Sequence, residues 1–123
     1  MFRFLAIVVA LLPLPASAQD ATDLTMVMVE QEGCVYCARW DAEAAPAWPE
    51  TEVGRAAPLR RVDIRALPDD LDFDGRPVFT PTFVLVRDGA ELGRVEGYDP
   101  EFFWPMVEHL VETARRDPVG ADG

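Results

Sequence analysis

The 123-residue chain has no lysine and a single histidine, His109. Its cations are 11 arginines against 22 acidic residues, a formal net charge of −11. Nucleic-acid binding needs clustered cations to neutralise phosphates, so this balance argues against it. Docking on an anionic lipid surface is disfavoured for the same reason. Cysteine is nearly as scarce, with only Cys34 and Cys37. Two cysteines and one distant histidine fall short of the four ligands of a closed zinc site. Haem attachment needs a histidine directly after the second cysteine, and Ala38 stands there. No metal site and no cofactor are assigned on these residues.

What is present begins with "MFRFLAIVVALLPLPASA", residues 1–18. An early cation (Arg3), an apolar run from Phe4 to Leu12, and Ala16-Ser17-Ala18 form the pattern of a cleavable secretory signal peptide. The alternative, a membrane anchor, is opposed by the length of that run, because a bilayer crossing takes about 20 apolar residues. Residues 19–123 are then expected to be exported from the cytoplasm and to form one domain with its core at about 24–114. Losing Arg3 makes the exported chain one unit more negative. Export also places Cys34 and Cys37 where a disulfide can persist.

"LTMVMVE" (24–30) is apolar and partly β-branched, as a buried strand is. "CARWDAEAAPAW" (37–48) is rich in helix formers, so a helix is expected from near Cys34, disturbed at Pro46. "LRRVDI" (59–64) alternates as a strand does. The stretch 65–79 is irregular or briefly helical, with Leu67, Leu71, Phe73 and Phe79 as residues to bury. Its "DDLDFD" run reads as a solvated loop, since calcium loops need a longer and more regular spacing. Thr82–Val86 and Glu91–Val95 flank Asp88-Gly89 and form a β-hairpin. Asp99-Pro100 is an N-cap and first-turn signal for a last helix, with Phe103, Met106, Val107, Leu110, Val111 and Ala114 as its apolar stripe; Pro105 either kinks this helix or marks its true start. Strand, helix, strand, hairpin, helix implies an α/β mixed sheet covered on both faces.

The CxxC pair, Cys34 and Cys37, sits where the first strand gives way to the first helix. At a helix start, unpaired backbone N–H groups and the helix dipole stabilise a thiolate, the form that attacks disulfides. A second cysteine three positions on lies about 300° around the turn and can bond back to the first. Cys34 is then the exposed attacker and Cys37 the sheltered resolver. Copper(I) held by two soft thiolates is compatible with the same pair, which makes a metallochaperone module the alternative reading. A purely structural disulfide closing so short a loop would constrain little chain entropy. Downstream, "FTPTFVL" (79–85) opens a core strand with a proline that removes a ladder hydrogen bond. A cis Thr80–Pro81 bond would turn the chain sharply there; an ordinary trans proline entering a strand is the plainer alternative.

Taken together, these motifs resemble the thioredoxin fold family over most of residues 24–114. More narrowly, "GCVYCARW", "RAAPLRRVDI" and "FTPTFVLVRDGAELGRVEGY" look like the periplasmic thioredoxin-like proteins of bacterial sulfur-oxidation systems, the SoxS type. The resemblance implies a thioredoxin-like three-layer sandwich, a central mixed sheet with helices on both faces. It implies catalysis by Cys34 and Cys37, with Pro81 as a cis proline and Thr80 lending backbone to an extended substrate segment. It further implies a thiol–disulfide oxidoreductase that maintains a cysteine of a sulfur-carrier protein, acting on a protein disulfide or persulfide. A membrane thiol–disulfide protein would supply its electrons. Tyr36 is expected to sit exposed over the site, either contacting substrate or simply filling surface; Trp40 is expected in the core.

Two departures from thioredoxins stand out. Val35-Tyr36 replaces Gly-Pro between the cysteines, and Met28 stands where thioredoxins keep a buried carboxylate that moves protons to the resolving cysteine. That proton must travel by water, by another acid such as Glu30, or with the leaving thiolate. Glu32, two residues before Cys34, would disfavour a nearby thiolate.

Overall fold

A strand apolar on both faces, as Leu24–Glu30 is, belongs in the middle of a sheet. The computed structural model, which describes residues 23–117, places it there. This strand, β1 (Leu24–Glu30), pairs in parallel with β2 (Leu59–Asp63) and antiparallel with β3 (Thr82–Arg87). β4 (Ala90–Glu96) pairs antiparallel with β3, giving the sheet order β2-β1-β3-β4. The parallel β1–β2 pair needs a crossover. It is supplied by α1 (Val35–Glu43), a 3-10 turn (Trp48–Glu50) and α2 (Glu52–Ala56); α3 (Phe103–Arg116) closes the chain. At the hairpin tip Asp88 and Gly89 have φ of +51° and +80°, the positive pair that a type I′ turn requires. The expected signal peptide and the start of the domain at Gln19 lie outside the described residues.

One face of the sheet buries Met26, Met28, Phe83 and Leu85 against Trp40 of α1, Trp48, and Phe103, Val107 and Val111 of α3. Phe83 holds this layer together, with ring centroids 5.1 Å from Trp40 and 4.8 Å from Phe103. Trp40 is fully buried, as expected of a core residue. The opposite face carries Val27, Val29, Val62, Val84 and Val86. The fold is the expected α/β mixed sheet with helices.

The cover of the valine face is where expectation and structure part. No helix lies there among the described residues; Ile64, Leu67, Leu71 and Phe73 cover it from an irregular segment. Pro68, Pro77 and Gly75 (φ +81°) break any helical run. Hydrogen bonds tie the segment to the hairpin instead: Asp72 N–H donates to Gly89 at 2.8 Å, and Glu91 N–H to Asp72 at 3.0 Å. The Arg94 guanidinium donates to the carbonyls of Asp74 and Gly75 at 2.9 and 2.7 Å. Phe79, expected to bury, is 58% exposed.

Two helix ends also differ from expectation. α1 stops at Glu43, well short of Trp48, because Pro46 lacks an N–H and would clash with the carbonyl four residues back. Asp99 caps a separate turn, accepting from Glu101 N–H at 2.8 Å, and α3 begins only at Phe103. Pro105 then falls in the first turn, where N–H groups lack helical partners anyway, so it makes no kink. Met106, placed on the apolar stripe by its spacing, is exposed.

Because Phe83 touches two other rings in a fully buried layer, Phe83→Ala should destabilise the protein by about 3–5 kcal/mol. Urea unfolding of the oxidised protein measures this as a lower midpoint at unchanged slope.

Candidate active site

Gly33, with φ +81°, turns the chain out of β1, and Cys34 follows with extended backbone as the N-cap of α1. Cys34 Sγ accepts a hydrogen bond from Cys37 N–H at 3.1 Å, so the sulfur itself fills the capping role of a side-chain oxygen. Cys34 and Cys37 are disulfide-bonded with Cα atoms 5.2 Å apart. Cys34 is half-buried, whereas Cys37 is 5% exposed and packs in the core layer. The first cysteine is the more accessible of the two; the second is sheltered. Among the described residues no group of three or more His, Cys, Asp or Glu is placed to hold a metal ion.

The Thr80–Pro81 peptide bond is cis. Thr82 pairs with Val29 and with Glu96, so the loops before β3, after β1 and after β4 leave the sheet at one end. That register brings residues 78–81 to the end that carries Cys34. Pro81 is buried, and its carbonyl accepts from Gly97 N–H at 2.7 Å. Thr82 Oγ donates to the Phe79 carbonyl at 2.6 Å. The backbone N–H and C=O of Thr80 make no hydrogen bond among the described residues. Tyr36 is 57% exposed; Val35, Val78 and Phe79 are likewise exposed around this end. Of the last three, Phe79 reads as a core residue in a linear pattern, and nothing in the sequence singles out Val35 or Val78.

Behind the disulfide a cleft of about 370 Å³ is lined by Cys34, Cys37 and the acidic residues Glu30, Glu32, Asp41 and Asp63. Period-two alternation puts Glu30 on the same face of β1 as Met26 and Met28, the face that α1 covers. Met28 is fully buried, so the first acid on that face stands one pleat further out, at the rim. Arg61 of β2 joins two of the acids, donating to Glu30 at 2.7 Å and to Asp41 at 2.6 Å. Its guanidinium also lies 5.6 Å from the Trp40 ring centroid. The Asp41 hydrogen bond, and then the Glu30 charge, raise the Arg61 pKa further, so it stays cationic. Hydrogen bonds from Arg65 hold the Asp63 carboxyl below its usual range. The role of Arg61 was not legible beforehand; its partner Glu30 is 31 residues away in sequence.

The crystal structure of the periplasmic thioredoxin SoxS from Paracoccus pantotrophus, in its reduced form, matches with a TM-score of 0.71 and 52% identity. The match covers 74% of this chain and 98% of that one. The chain belongs to the thioredoxin family, as a SoxS-type member. Thioredoxins from Plasmodium falciparum (TM-score 0.54, 19% identity, 73% of this chain and 83% of that one) and Fasciola hepatica (0.50, 17%, 70% and 79%) share the fold. No protein-family model and no curated protein matches the chain. Family membership together with the CxxC pair makes this SoxS-type thioredoxin a thiol–disulfide oxidoreductase.

Two measurements test the site's physical description. In the reduced protein, iodoacetamide should label Cys34 at least about tenfold faster than Cys37, as accessible thiolates outrun sheltered ones; peptide mapping after short exposure reads the ratio. At the far end of α1, Tyr98 donates to Glu43 at 2.8 Å, and burial, then this hydrogen bond, push its phenol up to about 12. A raised phenol pKa favours the protonated form in the folded state. Its stabilisation is therefore complete below the ordinary value of about 10 and is lost as pH rises through about 12. Phenolate absorbance should show a step near pH 12 that Tyr98→Phe removes.

Proposed function

We propose that this SoxS-type thioredoxin works in the periplasm, as residues 19–123 after removal of the signal peptide 1–18, and reduces a cysteine of a sulfur-carrier protein. The observation that carries the reading is the pairing of a half-buried Cys34 at a helix start with a buried Cys37. The likeness to a protein named as a periplasmic thioredoxin SoxS supports the compartment.

In this reading the Cys34 thiolate attacks the partner's disulfide or persulfide. A mixed disulfide forms on Cys34, and the other sulfur leaves. Cys37, as thiolate, then attacks Cys34 Sγ, closes the Cys34–Cys37 disulfide and releases the partner's cysteine as a thiol. Two electrons pass from the dithiol to the partner, and a membrane thiol–disulfide protein returns them. Thr80 offers its unpaired backbone groups to an extended partner segment by strand addition, beside Pro81. Tyr36 and the exposed Val35, Val78 and Phe79 supply apolar contact around the reacting sulfur.

Cys37→Ser should accumulate a mixed disulfide through Cys34 in periplasmic extract, and mass spectrometry should identify a sulfur-carrier protein in it. Many unrelated secreted proteins in its place would contradict the specific role and indicate general folding duty. Cys34→Ser should abolish disulfide reduction; full turnover by that variant would overturn the mechanism.

A further inference from the structure

Closure of the disulfide requires Cys37 to lose a proton, and the inner position that could take it is Met28, which cannot. We propose that Glu30 is the proton acceptor for Cys37, working through water in the cleft between them, with Arg61 and Asp41 as the positioning residues that aim it. The inference rests on the roles assigned above to Cys34 and Cys37.

Four carboxylates line the cleft, and they are not equivalent. Both oxygens of Asp63 are engaged by Arg65, through its backbone N–H at 2.8 Å and its guanidinium at 3.3 Å. Glu32 lies on the exposed loop before Gly33. Asp41 sits on the outer side of α1 and is held by Arg61. Glu30 is the most sheltered of the three ion-paired acids, with 32% side-chain exposure against 45% for Asp41 and 44% for Asp63. It shares the sheet face that α1 covers, and Arg61 binds only its Oε2. Oε1 makes no hydrogen bond among the described residues. A cleft of about 370 Å³ has room for several waters, each occupying about 30 Å³ of liquid. The charged groups lining it from β1, the loop, α1 and β2 are Glu30, Glu32, Asp41 and Asp63, with Arg61 paired to Glu30 and Asp41 and Arg65 paired to Asp63.

The step balances simply. The Cys37 S–H proton moves through water to Glu30, and the resulting thiolate attacks Cys34 Sγ. The partner's thiolate leaves with the bonding pair, and Glu30 returns the proton to it.

The test is stopped-flow reaction of the reduced protein with the chromogenic aromatic disulfide DTNB. The first thionitrobenzoate released reports attack by Cys34, and the second reports closure by Cys37. Glu30→Gln keeps the Arg61 hydrogen bond and removes the base. It should slow the second phase at least about tenfold near neutral pH, a modest share of what acid–base catalysis supplies, and leave the first within about twofold. The gap should narrow as pH rises and bulk base takes over, and Glu30→Asp should recover part of the rate. A role through charge alone predicts the opposite sign, because removing a carboxylate eases thiolate formation and speeds closure. A second phase unchanged or faster in Glu30→Gln, or both phases slowed alike, would overturn the proposal. If the wild-type protein released no first thionitrobenzoate, the assignment of Cys34 would fall, and this proposal with it.

Discussion

The register between β1 and β3 is the constraint on which the rest of the molecule depends. Pairing Val29 with Thr82 brings the loop after one strand and the loop before the other to the same end of the sheet. The CxxC turn and the Thr80–Pro81 turn, separated by more than forty residues of chain, meet there because of it. β1 has apolar residues on both faces, so alternation alone leaves it free to slip. Phe83, wedged between Trp40 and Phe103, removes that freedom, since shifting it by one residue would send a large ring to the valine face. Core packing thus sets the geometry of the site.

Two electrostatic influences meet at the cysteines. The start of α1 presents N–H groups to Cys34 and lowers the free energy of its thiolate. The carboxylates of Glu30, Glu32, Asp41 and Asp63 around the adjoining cleft raise it. Arg61 and Arg65 offset part of that negative charge through their ion pairs. The balance between a stabilised and a destabilised thiolate governs how readily a dithiol gives up electrons. In this chain the acids cluster at the rim of the cleft, and Met28 fills the inner position on the same face of β1 with packing volume.

Local features were legible from the residues alone. The Asp88-Gly89 turn, the strand 24–30 and the CxxC at a strand-to-helix junction each depend on neighbours within a few positions. Features that depend on distant parts of the chain were not. The end of α1 was partly legible: Pro46 marks a disturbance, but the alanine-rich run does not show that regular helix stops already at Glu43. The cover over the valine face was ambiguous, since Leu67, Leu71 and Phe73 bury from an irregular segment that obeys no period. Phe79 looked like core and lies exposed at the site, a distinction only tertiary structure makes. The Glu30–Arg61–Asp41 network was half visible: Glu30 stands in phase with Met28, but its arginine arrives through the β1–β2 register.

The central physical claim is that Cys34 alone meets the partner while Cys37 meets only Cys34. Acid-quenching the wild-type protein within milliseconds of mixing with a disulfide-bonded peptide, then mapping the mixed disulfide by mass spectrometry, tests it directly. The peptide should be found on Cys34 at every time point. A mixed disulfide on Cys37 at the earliest times would contradict the account.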